Sequence, residues 1–275
     1  MKDTTTVGDV IQWLDAGAPF RYAASWDSCG LQVGDPRSAV SRVLVALDPD
    51  STTLEEAARR DCQCLVTHHP QIFQPLKALR LDEHPAALVA FALRRNIHVV
   101  AAHTNLDAAR EGTNDQLARL LGLTDCRPLE SDQAWRGEDR YAGMGKTGLL
   151  ERPATIEELV GKLRGALGAI AVRGVGDPGR TVRRVGLCTG SGGGFMEKVV
   201  EAGCEAYVTG DVKYHEAQRA REAGLAVVDV GHFASERIVV SPLAAYLQSQ
   251  ARRKGSDVEV LTAREETDPF WTDAP

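Results

Sequence analysis

No stretch of this sequence stays apolar for the ~18 residues that a membrane span needs. Its six cysteines contain no Cys-x-x-Cys pair, and no basic segment followed by an apolar core opens the chain. Basic residues are not in excess: the formal net charge is −6, with Lys and Arg scattered. Together these absences argue against a membrane protein, a disulfide scaffold and a bulk cationic surface for nucleic acid, although a local basic patch, and with it nucleic acid, stays open. The expectation is a cytoplasmic protein with reduced thiols. Cys62 and Cys64, at strand spacing, face the same way and read as small core residues.

At 275 residues, 43% hydrophobic and 25% charged, the chain has the composition of an ordinary globular protein and the length for one large domain or two small ones. Its most informative stretch is Cys64-Leu65-Val66-Thr67-His68-His69-Pro70, where an apolar run stops at two histidines and a proline. The run suits a buried strand, and Pro70 cannot donate to a continuing ladder, so the histidines fall at the strand's C-terminal end. In open α/β sheets that edge is where ligands bind. A bare His-His-Pro is also compatible with a solvated loop, and only the rest of the chain decides.

Along the chain, the threonines at 4–6 cap a helix over Val7 to Ala16, and 25–35 reads as a functional loop or an edge hairpin. From Arg42 the pattern is strand (43–47), helix (54–60, capped by Thr52 or Thr53), strand (64–67), helix (86–95) and strand (97–102), then helix 114–121. Between 126 and 184 lies a less regular connecting segment, too short for a large inserted domain, with a helix over 157–167 and a strand at 170–172. The theme then repeats: strand 185–188, helix 195–202, strand 206–208, helix 214–223, strand 225–230. A last helix over 235–252, kinked at Pro242, a strand at 258–261 and an acidic tail with Phe270-Trp271 complete the chain. The expected fold class is α/β: two similar α/β halves, 1–125 (core 42–121) and 185–275, with mixed, largely parallel sheets and the metal site in the cleft between them.

Four histidines, His68, His69, His103 and His232, sit just after predicted strands. His103/Asp107 and His232/Glu236 share a His-x3-carboxylate spacing, which brings imidazole and carboxylate together if the backbone coils. Such a pair alone is common on surface helices. Imidazoles with carboxylates on matching strand ends are what a two-metal hydrolytic site requires, with ions ~3.5–4 Å apart sharing a water. His215, after the second strand of the second half, mirrors His68 and His69 and is a candidate proton shuttle, the alternative being a solvated helix-start residue. His84 and His98 read as structural. Gly190, Gly192 and Gly193 lie in a glycine run between strand and helix that serves either as a phosphate cradle or as a tight turn needing positive φ. As a dinucleotide fingerprint it fails at its third position, Phe195, which disfavours a nicotinamide enzyme.

Six motifs, in order over most of the chain, resemble the Nif-three-like family, the dinuclear-metal toroidal proteins known as type-two GTP cyclohydrolase one homologues. They are 26–34 (Trp26-Asp27 to Gly34), 67–70, 103–107, 112–115, 209–215 and Gly231-His232-x3-Glu236. The resemblance implies two similar α/β halves around the metals and homohexamers assembled as a ring. It implies His68, His69, Asp107, His232 and Glu236 as metal ligands, Glu236 bridging, with His103 and His215 close to the metals.

The expectation is therefore two divalent ions per chain (Zn, Fe, Mn or Ni) and a hydrolase acting on a nucleotide or another phosphate-containing ligand. Trp26 and Asp27, or the Gly190–Gly193 loop, would grip the substrate, and His215 or His103 would move protons. The rival is a non-enzymatic metal- or nucleotide-binding ring that acts through partners.

Overall fold

The computed structural model describes residues 4–131, 139–168 and 171–271. The chain divides into two compact units, one of Met1–Leu106 with Val239–Thr267 and the other of Asp107–Ile238 with Asp268–Pro275. Among the described residues no helix is long and apolar enough to cross a membrane.

The first unit is built on a five-stranded sheet. Its strands are β1 (Gly30–Val33), β2 (Arg42–Ala46), β3 (Cys64–Thr67), β4 (His98–Ala101) and the C-terminal strand Glu259–Thr262, in the order β1-β4-β3-β2-C-terminal strand. β2, β3, β4 and the C-terminal strand run parallel, and β1 is an antiparallel edge. Residues 43–46, 64–67 and 98–101 are all buried, as expected of parallel strands covered on both faces, which is why they read as unbroken apolar runs. Helices Ser51–Arg59 and Ala86–Arg94 make the crossovers. Leu44, Leu54, Leu65 and Val99 meet in one core.

Helix Val7–Gly17 begins with a capping box between Thr6 and Asp9, a device worth about 1 kcal/mol. It packs on helix Val240–Arg253, where the Tyr246 hydroxyl donates to the Trp13 carbonyl at 3.0 Å. A Cβ on Gly17 would sit 2.5 Å from the Tyr246 ring, so a larger residue is excluded there.

In the second unit a six-stranded sheet has strands β5 (Leu123–Glu130), β6 (Met144–Thr155), β7 (Arg173–Val175), β8 (Thr181–Ser191), β9 (Ala206–Gly210) and β10 (Ala226–Asp229), in the order β5-β6-β8-β9-β10-β7. β8, β9 and β10 run parallel, with antiparallel β7 outside β10, β6 antiparallel outside β8 and β5 antiparallel to β6 at the edge. Strand alternation splits the core by face. Val185, Leu187, Val208 and Val228 pack with Leu117, Leu159 and Leu163, while Tyr207 and Val227 face Met196 and Val199.

Each unit is thus a mixed α/β sheet with an antiparallel edge beside a parallel set, of four strands in the first unit and three in the second. Several boundaries differ from those expected. The division falls at Leu106/Asp107 rather than near 125, and 126–184 is no connector, since it supplies most of β5 together with β6 and β7. The expected strand at 170–172 begins instead at Arg173, with Ile170 outside the described residues. The cap of helix Ser51–Arg59 is Asp50, whose carboxylate accepts from the Thr53 N–H at 2.8 Å, not Thr52 or Thr53. The last helix is two, His232–Arg237 and Val240–Arg253. Pro242 does not kink it but occupies the first turn of the second, where its missing N–H leaves no intrahelical bond unmade.

Candidate metal-binding residues

Because β2, β3 and β4 are parallel and in register, Ala46, Thr67 and Ala101 align, and the residues that follow them leave the sheet at one edge. Those residues include Asp48, His68, His69 and His103. The three histidines offer ring nitrogens within 4.8 Å of one another, and their ring centroids lie 5.0–5.7 Å apart. His68 is fully buried.

Each ring is held through its Nδ1. His68 Nδ1 bonds to the Ala102 carbonyl at 2.9 Å, His69 Nδ1 to the Asp48 carboxylate at 2.7 Å and His103 Nδ1 to the Asp27 carboxylate at 2.8 Å. A carbonyl or an ionised carboxylate can only accept, so Nδ1 must carry the proton. In the neutral ring that leaves the Nε2 lone pair for a ligand. This acceptor–imidazole arrangement is how metal-binding histidines are oriented and made more basic.

Asp27 is thus turned inward, away from the surface that Trp26 occupies. Its side chain is fully covered and accepts from His103 Nδ1, the Thr104 N–H and hydroxyl and the Cys29 thiol. Burial pushes its pKa up, but these hydrogen bonds outweigh it and hold the group well below the usual carboxylate range. Cys29 beside it is pushed up to about 12 by burial and by Asp27. Trp26, by contrast, is exposed beside His103, as a substrate contact requires.

The second unit presents a different set. Asp107 and Glu236, both buried, offer oxygens within 4.8 Å of one another. His232 Nε2 lies 2.9 Å from Glu236, one helical turn away. His232 Nδ1 bonds to Asp211 at 2.7 Å, so the ring is held between two carboxylates, with Asp211 in the place that Asp27 and Asp48 take in the first unit. The Thr113 hydroxyl donates to the Asp107 carboxylate, and the Asn114 amide to the Asp107 carbonyl at 3.0 Å.

Gly190 makes room for Glu236: at φ +64° a Cβ there would come within 2.0 Å of its Oε1. Of the two readings of the glycine run, Gly190 meets the turn with positive φ, and there it serves as a packing device. The Gly190 N–H donates to Ser235 Oγ at 2.9 Å and the Gly192 N–H to Thr209 Oγ1 at 3.0 Å, so neither is left for an anion. Gly193 abuts the Glu216 carboxylate, whose charge opposes a phosphate. His215 joins none of these groups: it is exposed on the first turn of helix Tyr214–Glu222, with Nδ1 3.0 Å from Gln218 Oε1.

The orienting roles of Asp48 and Asp211 escape a sequence reading. What could have signalled Asp48 is a carboxylate following the strand beside the one that delivers the histidines.

Parallel strands ending in imidazoles and carboxylates, with tautomers locked for binding through Nε2, define an α/β protein whose side chains can hold metal ions. The chain belongs to the DUF34/NIF3 family: the family model described as Duf34/NIF3 (NGG1p interacting factor 3) matches residues 5–269. It is similar to the GTP cyclohydrolase 1 type 2 homolog of Streptomyces coelicolor, 36% identical over 269 residues covering 97% of this chain and 93% of the relative. The homolog of the same name from Nostoc sp. is 36% identical over 247 residues, 88% and 91% of the two chains. Among solved structures, a hypothetical protein of Staphylococcus aureus superposes with a TM-score of 0.91 at 26% identity, over 98% of this chain and 100% of that one. A Bacillus cereus protein related to NIF3 gives 0.92 at 23% identity over the same shares, a likeness of fold.

Proposed function

We propose that the protein is a dinuclear metal-dependent hydrolase acting on a nucleotide, with His68, His69, Asp107, His232 and Glu236 as ligands to two divalent ions and Glu236 bridging. The observation that carries this reading is that His68, His69, His103 and His232 all have Nδ1 on an acceptor, the arrangement that orients metal-binding imidazoles, and that His232 Nε2 stands 2.9 Å from the Glu236 carboxylate. Three neutral imidazoles add no charge, and two buried carboxylates supply the negative charge that two divalent cations call for. A mixed N/O donor set suits Zn, Fe, Mn or Ni. The names of the relatives support a purine nucleotide as substrate.

Two such ions would lower the pKa of a shared water toward neutrality and supply hydroxide. The chain's own residues would do the rest. Asp27 and Asp48 hold imidazoles in one tautomer, and Gly190 keeps space for the Glu236 carboxylate. For proton transfer His103 is better placed than His215, because it stands among the clustered imidazoles while His215 is solvated and bonded to Gln218.

Assembly into a homohexameric ring is proposed on the family resemblance. The exposed Phe270 and Trp271, at 78% and 86%, are aromatics that a neighbouring copy could cover. A monomer by light scattering at micromolar concentration removes the ring.

The function is tested on protein purified without chelator or affinity metal. The expected result is about two ions per chain and turnover of GTP or a phosphoester that vanishes in Glu236→Ala. Fewer than about one ion per chain after reconstitution refutes the two-metal centre. Two ions with no turnover across a substrate panel leaves a metal-binding protein that acts through partners.

A further inference from the structure

We propose that Trp26, Phe73 and the cavity behind the segment 70–86 recognise the substrate for the three-histidine cluster, and that they select a planar heteroaromatic ring carrying an anionic group. The proposal rests on the reading above for what the cluster does. What is recognised comes from the first unit alone.

Trp26 and Phe73 are 62% and 45% exposed, with ring centroids 6.0 Å apart. Each also stands beside His103, at 6.4 and 6.3 Å. Two large aromatic side chains left in water next to locked imidazoles form a stacking surface at the mouth of the cluster. Stacking a base on such a ring changes affinity by about tenfold or more, whichever base it is.

Phe73 also lines a cavity of ≈ 480 Å³ together with Gln71, Lys77, Arg80, Glu83 and His84. Arg80 is bound to Asp82 at 2.7 Å and to Glu83 at 2.8 Å, one cation held between two carboxylates. Lys77 makes no ion pair among the described residues and is the ammonium that the cavity offers to an anion. A phosphate or carboxylate balances it. Gln71 is 95% buried, 5% of its surface being exposed, and its Oε1 has no hydrogen-bond partner. A buried acceptor left without a donor is costly, and an N–H on the edge of the incoming ring would satisfy it. Aromatic faces, a wanting acceptor and an ammonium together match a nucleotide: the faces for the base, Gln71 for its edge and Lys77 for its phosphate.

The test uses the full chain, as purified and after reconstitution with Mn²⁺. Metal content is measured by elemental analysis, and binding of GMP, AMP, guanosine and ribose 5-phosphate by calorimetry. GMP or AMP should bind at least about tenfold more tightly than ribose 5-phosphate. Trp26→Ala and Phe73→Ala should each weaken nucleotide and guanosine alike by about tenfold, with metal content unchanged and with Trp26→Phe restoring most of the affinity. Lys77→Gln should weaken GMP and leave guanosine unaffected.

Equal binding of all probes by wild type and Trp26→Ala overturns the stacking surface. GMP affinity that depends on Mn²⁺ and not on Lys77 overturns the anion site and moves the phosphate to the metals. Base-dependent binding in a chain that retains no metal defeats the hydrolase reading and leaves the recognition surface standing.

Discussion

The two units use one scaffold to deliver opposite donors. In each, consecutive parallel strands (β2, β3 and β4; β8, β9 and β10) end at a common edge and an antiparallel strand guards the last of them, β1 beside β4 and β7 beside β10, the first unit adding the C-terminal strand as a fourth parallel strand beside β2. After β3 the chain reads Thr67-His68-His69, and after β9 it reads Thr209-Gly210-Asp211. The second unit thus has a glycine and a carboxylate where the first has two imidazoles. In the first unit the donors are neutral rings and the carboxylates, Asp27 and Asp48, stand behind them as orienting groups. In the second Glu236 itself comes forward, a single ring, His232, is oriented from behind by Asp211, and Asp107 joins from the helix Thr104–Ala108 that follows β4. The parallel edge dictates where donors emerge, and the residue type at each strand end decides whether they carry charge.

That contrast is broken most severely by removing a donor from one side. His69→Ala and Glu236→Ala should each cost at least one ion per chain by elemental analysis. Glu236→Ala should cost more, because a lost carboxylate removes charge as well as a bond. Full metal content in Glu236→Ala would mean that the imidazole set alone binds the ions and that the carboxylates of the second unit serve another purpose. A gentler version leaves the donors and removes their supports. Asp48→Asn and Asp211→Asn replace the acceptor behind His69 and His232, and each should weaken metal affinity by about 10–100-fold in a competition titration. If only Asp48→Asn has an effect, the tautomer lock matters only in the unit rich in imidazole.

How much of this could be read from the sequence follows from which contacts are local. The parallel strands and their crossovers were legible because doubly buried strands are unbroken apolar runs and helices keep their own period. The segment 126–184 was not, since β5 is largely exposed and carries Pro128, so no alternating pattern marks it as a strand. Histidines at strand ends were legible for the same reason that the strands were. The orienting carboxylates were not, because Asp48 reaches His69 only once β2 and β3 lie side by side, and Asp27 reaches His103 across 76 residues of sequence. The choice between cradle and turn for the glycine run was not legible, because the groups that use its N–H donors, Ser235 and Thr209, are 45 and 17 residues away.

The packing role of that run gives a comparison within the second unit. Gly190→Ala places a Cβ against Glu236 Oε1 at a positive φ, and should lower stability by about 1–3 kcal/mol as well as disturb metal binding. Gly194→Ala has nothing within 4 Å of its Cβ and should be close to neutral. Thermal melts of the two variants decide it. Equal effects would show that backbone freedom across the run, rather than space for Glu236, is what its glycines provide.

The smallest expected effect concerns a position where the units differ away from the donors. His98 opens β4 and pairs in register with Cys64, while at the matching place in β10 Ala226 pairs with Ala206. His98 is buried, its Nδ1 accepts from the Asp35 N–H at 3.2 Å, and its Nε2 has no hydrogen-bond partner. Adding a proton would place an N–H on Nδ1 facing another N–H, in a site that burial already makes unfavourable for charge. Burial accordingly lowers the pKa of His98 from its ordinary 6.5, against a smaller opposing pull from Asp35. Between that lowered value and 6.5 the unfolded chain binds a proton that the folded chain does not. The linkage slope is therefore positive, and the contribution is fully present above pH 6.5 and lost as pH falls through the folded value. His98→Asn, which cannot titrate, should lower the melting temperature at pH 8 but should lose less than wild type on going from pH 8 to pH 5.5. The difference between those two losses isolates this one ring from every carboxylate the proteins share, and a difference of zero would mean that His98 takes up its proton in the folded chain as readily as in the unfolded one.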